Sequence, residues 1–400
     1  MGIPFPGPGI HFGYPEQDYF KVEACSASVS KALLRSPWEG WSASWMNAMR
    51  PEKKSEALKL GKCMHVALLE GERAFGQRYD IEPSKDDYPG LLSTNVTMGE
   101  YLEANGLKKS GSNDALVERI REFDAVIPLW HEITTGFERS LGNRLAIKRE
   151  KWLEVQRARF VINHLPSLRE LFGVPGAAEV TIFFYGHGGV PMKCRLDRLQ
   201  IGATIDLKSY SNRMGKEIFF ATIGALCSYR YDIQAVIYRE AVAEMKRLYA
   251  EQGMGIFHGE LPDDLSLAWL DKVLTHPENR FYFTFLQTGD TPNVSTIEFE
   301  EFEEKEIYDL SGGVDRTVRS ANTYYSNAVL GYHRAAEIYA DCMAHYGPDR
   351  PWIVDHGIRR LKDCNLPLWM LQEGAPEPLD LQSEDEEGDP QDGEPDRKAA

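Results

Sequence analysis

Apolar and polar positions along this chain repeat with two periods, and the change falls near residue 178. Upstream, apolar residues recur every three to four positions, the spacing of a helix face. The run KALLRS ahead of Pro37 predicts a helix capped near Ser28. Ser55 to Leu69 predicts a second helix, closed by Gly71. Thr97-Met-Gly-Glu100 has the spacing of a capping box and opens a helix that stops at Gly106; Ser112 caps NDALVERIREF. From residue 178 the period becomes two, the spacing of a strand. AEVTIFFY reads as a strand, GHGG as a turn, VPMKCRLDRL as a second strand, and ATIDLKS, after Gly202, as a third. A helical region over 215–250, the strands RFYFTFLQT and NVSTIEFE, and a helix from about Glu301 to His345 follow. The Pro- and Gly-rich first dozen residues read as a loop. This order predicts an α/β (α+β) fold, a small mixed sheet flanked by helices.

Composition narrows the class. The 400 residues are 42% apolar and 26% charged, enough for a well-buried core and inconsistent with a largely disordered chain. No apolar run approaches the roughly 20 residues needed to cross a membrane, and the N-terminus lacks the charged-then-apolar order of a secretory signal. The six cysteines include no C-x-x-C pair, which excludes zinc ribbons and four-cysteine clusters and points to a reduced, cytoplasmic interior. The net charge of −16 argues at first against a polyanionic partner. Its distribution changes that. Residues 373–400 hold eleven acids against two bases, −9 of the total, and read as a disordered acidic tail; residues 1–372 carry only −7. The predicted organisation is an N-terminal part of the main domain over 1–92, an insert over 93–124, the remainder of the core over 125–372 and the tail.

The chemistry gathers in the second and third predicted strands. Alternation places Met192, Cys194 and Leu196 on one face and Lys193, Arg195 and Asp197 on the other. In the next strand Ile205 and Leu207 share a face, and Thr204, Asp206 and Lys208 the opposite one. Paired as a hairpin, the strands bring Asp197, Asp206 and Lys208 together. Two carboxylates and an amine are costly to desolvate unless they bind an ion or serve chemistry. Hard oxygen donors supplying part of a shell suit Mg²⁺ or Mn²⁺. Blander readings exist for each residue. Asp206 and Lys208 could be an ordinary ion pair, His65 a packed histidine, and Gln234 and Tyr238 (i, i+4 on one helix) packing residues.

These segments together resemble the PD-(D/E)xK nuclease superfamily, and within its RecB-like branch the RecE-type exonucleases (exonuclease VIII). The resemblance rests on SASVSKALLRSP, LGKCMHVALLEG with His65, AAEVTIFF with Glu179, GVPMKCRLDRL with Asp197, ATIDLKS with Asp206 and Lys208, and YRYDIQAVIY with Gln234 and Tyr238. It covers about residues 19–345, with Leu196 standing where a proline is usual. The resemblance implies a restriction-endonuclease-like core. It implies a metal held by His65, Asp197, Asp206 and the Leu207 carbonyl, with Lys208 and Glu179 as further catalytic residues. Gln234, Tyr238, Arg195 and Lys193 become candidate DNA contacts. Residues 94–122 resemble a SAP-type helix-extension-helix motif, whose Lys108 and Lys109 are further candidates, although its charges nearly cancel and Asn113-Asp114 replace the usual basic start of the second helix. The expected function is Mg²⁺-dependent digestion of linear double-stranded DNA from its ends, 5′→3′. The expected partners are a RecT-like single-strand annealing protein and further copies of the chain. The expected location is the cytoplasm of a bacterial cell, with a phage gene as a source. The rivals are a nuclease of other polarity or single-strand preference and a catalytically silent DNA-end-binding scaffold.

Overall fold

A computed structural model describes residues 2–50, 55–289, 293–308, 314–355 and 357. The described residues up to Ile353 form one compact unit. The predicted acidic tail lies outside the described residues.

The centre of this unit is an eight-stranded mixed sheet. Its long path uses β1 (Gly9–Phe12), β2 (Gly176–Tyr185), β3 (Pro191–Gln200), β4 (Ala203–Tyr210), β5 (Phe257–Gly259), β6 (Arg280–Gln287) and β7 (Val294–Glu298). The spatial order is β7-β6-β4-β3-β2-β1-β5, with Cys25–Ser26 adding a short parallel pairing to β3. β2, β3 and β4 form an antiparallel meander. β4 and β6 run parallel, in register Asp206 to Phe283 and Leu207 to Thr284. That crossover needs a helical connection, supplied by α3 (Ile218–Ser228), α4 (Tyr231–Gln252) and the short helix Leu267–Thr275.

β6 is buried on both faces, as a central strand should be. Phe281, Phe283 and Phe285 enter the main core with Met192, Cys194, Leu196, Ile233 and Ile237. Leu286 joins Leu207 in a second cluster with Leu60, Cys63 and Met64. Those last three residues lie on α2 (Glu56–His65), capped by the Ser55 hydroxyl on the Leu58 amide. The sheet is therefore clamped between α2 on one face and α4 on the other. α1 (Ala27–Leu33), capped by Ser26, packs beside α4.

Four local readings are corrected. The N-terminal residues are not all loop, because β1 pairs with β2 and buries Ile10 and Phe12. The region 215–250 is two helices, broken where Arg230 adopts a left-handed conformation at φ 51°. The stretch from Glu301 opens with a hairpin, Phe302–Tyr308 against Val314–Ala321, and its helix begins only at Thr323. In the insert the capping box is Thr94–Thr97, with the Thr97 hydroxyl reaching back to the Thr94 amide, so Thr97 lies inside the helix Asn95–Ala104. The two helices of the predicted insert, Asn95–Ala104 and Asn113–Phe123, pack around a separate small cluster of Met98, Leu102, Leu116 and Ile120, to which Leu92 and Leu129 on either side also belong.

Candidate active site

The site is built where β3 and β4 part. Their ladder runs only from Gln200–Ala203 to Arg198–Ile205. Beyond it, the Asp197 carboxylate fills the gap and its Oδ2 accepts the Leu207 amide at 2.7 Å. A backbone donor lost to the sheet is thus satisfied by a side chain, and the same contact orients the acid.

His65 reaches this gap from the last turn of α2, just where the helix widens into a π-helical turn, Val66–Glu70. Such turns recur at functional positions. The packing of Leu60, Cys63 and Met64 against Leu207 sets its height above the sheet. His65 Nε2 lies 3.1 Å from the Leu207 carbonyl oxygen and 3.7 Å from Asp197 Oδ2, and Nδ1 lies 3.7 Å from Glu179 Oε1. Glu179 is delivered by an unusual backbone, with φ 55° in the middle of β2. A left-handed non-glycine residue costs about 1–2 kcal/mol, and observed strain of this kind is a pointer to function.

One donor atom from each of His65, Glu179 and Asp197 lies within 4.8 Å of the others. A small divalent ion with bonds of about 2.1 Å can be bridged by donors at this separation after little movement. One imidazole and two carboxylates form a hard, oxygen-rich set that fits Mg²⁺ or Mn²⁺. Burial opposes charge on His65, but Asp197 and then Glu179 outweigh it and lift its pKa to about 9.

A second group adjoins the first across Leu207. Asp206 is fully buried. Its Oδ2 is paired with the Lys208 ammonium, and its Oδ1 accepts the Gln234 side-chain amide at 2.7 Å. Burial, only partly countered by Lys208, and the like charge of Asp197 push the Asp206 carboxyl up to about 6. Lys208 stays cationic: burial alone would lower its pKa, and Asp206 and Asp197 raise it above the ordinary lysine range. The Lys208 ammonium also lies 5.0 Å from the centroid of the Tyr231 ring.

The structure thus brings His65, Glu179 and Asp197 together and sets Asp206 and Lys208 beside them. Gln234, from α4, touches Asp206. The remaining candidates are placed differently. Tyr238, one turn further along α4, is buried and packs edge-on against Phe281 at 6.2 Å. Lys193 is only 3% exposed. Its ammonium donates to the carbonyls of Tyr19 and Val22, both at 2.8 Å, which ties down the N-terminal segment and leaves no face for DNA. Arg195 donates to the Tyr14 carbonyl at 2.7 Å and lies 3.8 Å from Glu179. Lys109 is paired with Glu103 at 2.7 Å and Lys108 is exposed, both in the insert. Two residues at the site had no role assigned from sequence, Lys31 and Tyr231. Lys31 is the one charged residue on a short helix whose other positions are apolar or small, a pattern that marks a cation held against a core.

Residues 143–251 match the family model described as a PDDEXK-like domain of unknown function (DUF3799). No curated protein matches the chain. Among solved structures, the chain is similar to the crystal structure of a "Putative exonuclease" from Eubacterium rectale. Identity is 14% and the TM-score 0.37, over 91% of this chain and 97% of that one. The family match contains Glu179, Asp197, Asp206, Lys208 and Gln234, and leaves His65 outside. With the mixed α/β fold, it supports the PD-(D/E)xK nuclease superfamily at that level of detail. Among the described residues, no helix is long and apolar enough to cross a membrane.

Proposed function

We propose that this chain is a divalent-metal-dependent DNA exonuclease, most closely of the RecE type. The observation that carries the reading is the parted β3–β4 gap, where His65, Glu179 and Asp197 meet in an ion-sized cluster beside the buried Asp206–Lys208 pair. A phosphodiester is cleaved when a water is positioned and the charge on the attacked phosphate is neutralised. Bound between His65, Glu179 and Asp197, Mg²⁺ or Mn²⁺ would supply a Lewis acid toward the phosphate oxygens and a more acidic bound water.

The chain's own residues supply the rest. The Leu207 amide and the Arg195 guanidinium hold the two acids in place. Lys208, kept charged by Asp206, is a hydrogen-bond and charge donor for the developing phosphorane rather than a neutral base. Both Asp206 oxygens are already engaged, so its direct ligation of metal requires Lys208 to move off Oδ2. Gln234 holds the other oxygen and prevents the buried carboxylate from turning.

The finer parts of the proposal are the substrate and the setting. Linear double-stranded ends, 5′→3′ polarity, a RecT-like annealing partner and assembly into a homo-oligomer follow from the sequence resemblance. Duplex labelled separately at each 5′ and 3′ end, incubated with Mg²⁺ or Mn²⁺ and with or without chelator, tests them. Metal-dependent release of 5′ label as nucleotides is expected. A linear duplex left intact with both metals removes the enzymatic reading, and release from the 3′ label first removes the polarity.

A further inference from the structure

Four cationic side chains are carried by α1, the turn after it, β4 and the turn before α4: Lys31, Arg35, Lys208 and Arg230. Three of them have carboxylates of their own. Lys208 is paired with Asp206, Arg230 with Asp232 at 3.0 Å, and Arg35 with Glu39 at 2.5 Å. Lys31 is the exception: among the described residues no carboxylate lies within ion-pair distance of it. Its side-chain contacts are the Gln234 Oε1 at 3.5 Å and the Tyr231 ring, whose centroid is 5.1 Å away. The same ring carries Lys208 at 5.0 Å. Two lysines therefore share one aromatic ring, and among the described residues only Lys208 has a carboxylate within ion-pair distance.

Such an arrangement is unfavourable by itself. Two like charges at short range repel, and a half-buried ammonium with no carboxylate in direct contact gives up hydration for little return. Burial and then Lys208 pull the Lys31 pKa down to about 8, with Asp206 and Asp232 countering in part from beyond ion-pair distance, which leaves it largely charged at neutral pH. If Lys31 served only to orient Gln234, a neutral hydrogen-bond donor would do so without the repulsion. A cation that no carboxylate reaches directly, facing a catalytic lysine across one ring, is instead suited to an anion that arrives with the substrate.

We infer that Lys31 is a substrate-phosphate contact, its ammonium and that of Lys208 flanking Tyr231 to form a two-lysine seat for a non-bridging phosphate oxygen of the bound DNA strand. This inference rests on the nuclease reading. It assigns Lys31 to binding and positioning, while Lys208 remains the group at the reacting phosphate. Tyr231 fixes both stems by cation–π contact, and the exposed Tyr229 ring, 5.5 Å from Tyr231, continues the aromatic surface outward.

The test is duplex binding by fluorescence anisotropy, with Ca²⁺ replacing Mg²⁺, over a series of salt concentrations. Neutralising one phosphate contributes about 0.9 to the slope of log K against log salt. Lys31→Gln is expected to weaken binding about 5- to 20-fold and reduce the slope by about one, while Lys31→Arg keeps the parental slope. Should Lys31→Gln lower the melting temperature, Lys31→Met, which preserves the packing of the stem, gives the same reading. A parental slope in the neutral variants overturns the inference, whatever happens to affinity, because a structural role does not change the number of ions released. The two readings fail separately. A parent chain that releases no nucleotides removes the nuclease reading, whereas a parent that cleaves while Lys31→Gln keeps its slope removes only the role of Lys31.

Discussion

The insert over residues 93–124 and the β3–β4 gap both place cations near acids, and they do so to different effect. In the insert, Lys109 is bound to Glu103 and Arg119 donates to the Ser110 carbonyl at 3.4 Å, while Arg121 is paired with Glu132 just beyond it. These cations are met within the fold on a largely exposed surface, where an ion pair is worth about 0–1 kcal/mol. In the gap the acids are crowded, Asp197 and Asp206 are buried, Glu179 has a strained backbone, and beside them Lys31 has no carboxylate within ion-pair distance among the described residues. A basic residue informs about a polyanion only when its charge is not already met within the fold. Charge counted along the sequence cannot make that distinction.

Four measurements can break or sharpen this contrast. The largest effect is expected at the gap. Asp197→Asn should lower metal-dependent DNA cleavage by about a thousandfold or more while the fold persists by circular dichroism; cleavage within tenfold of the parent would move the site elsewhere.

The second concerns protons. His65 is held protonated by Asp197 and Glu179, with its pKa raised to about 9. The imidazole must lose that proton to bind metal, so apparent Mg²⁺ or Mn²⁺ affinity should climb by up to about tenfold per pH unit between 7 and 9. The sign for stability is opposite. A pKa raised on folding stabilises the metal-free chain fully below about 6.5, and the gain is lost as pH rises through about 9. Metal titrations and melting curves across this range check both, and His65→Asn should flatten each.

The third separates strain from chemistry. Glu179→Gly relieves the left-handed conformation and Glu179→Gln does not. Both should reduce metal affinity about 10- to 100-fold, but only the glycine variant should hold or raise the melting temperature, by an amount equivalent to about 1 kcal/mol. Equal melting of the two variants would mean that the backbone at 179 stores no strain. The smallest effect is expected in the insert, where replacing Lys108 and Lys109 together by alanine should change duplex affinity less than about twofold. A drop in salt slope of about two would instead make the insert a DNA-binding surface.

The main strands were readable because β3 and β4 alternate apolar and polar residues and β2 and β6 are short runs rich in β-branched and aromatic residues, and the helix bearing His65 because its apolar positions repeat at helical spacing between a serine cap and Gly71. The readings that failed have local causes. β1 is four residues long and lies among glycines and prolines, so its strand character comes from pairing with β2 rather than from its own pattern. The hairpin before Thr323 is rich in glutamate and arginine, which carry no period-two apolar signal. Lys193 alternates with core residues as a surface charge would, yet the N-terminal segment folds over it and presents carbonyls, a contact some 170 residues distant in the chain.

By itself the sequence determined the chemistry at hand: the alternation that puts acids and lysines on β3 and β4, and the helix that ends at His65. Tertiary structure decided which of these groups meet. The β3–β4 ladder ends at Arg198–Ile205, so Asp197 turns toward His65 and Glu179 while Asp206 is drawn to Lys208 and Gln234. That division depends on where two strands separate and on which helix covers each face. Both are set by packing between elements far apart in the chain, where a residue's environment, rather than its type or spacing, fixes its partner and its charge.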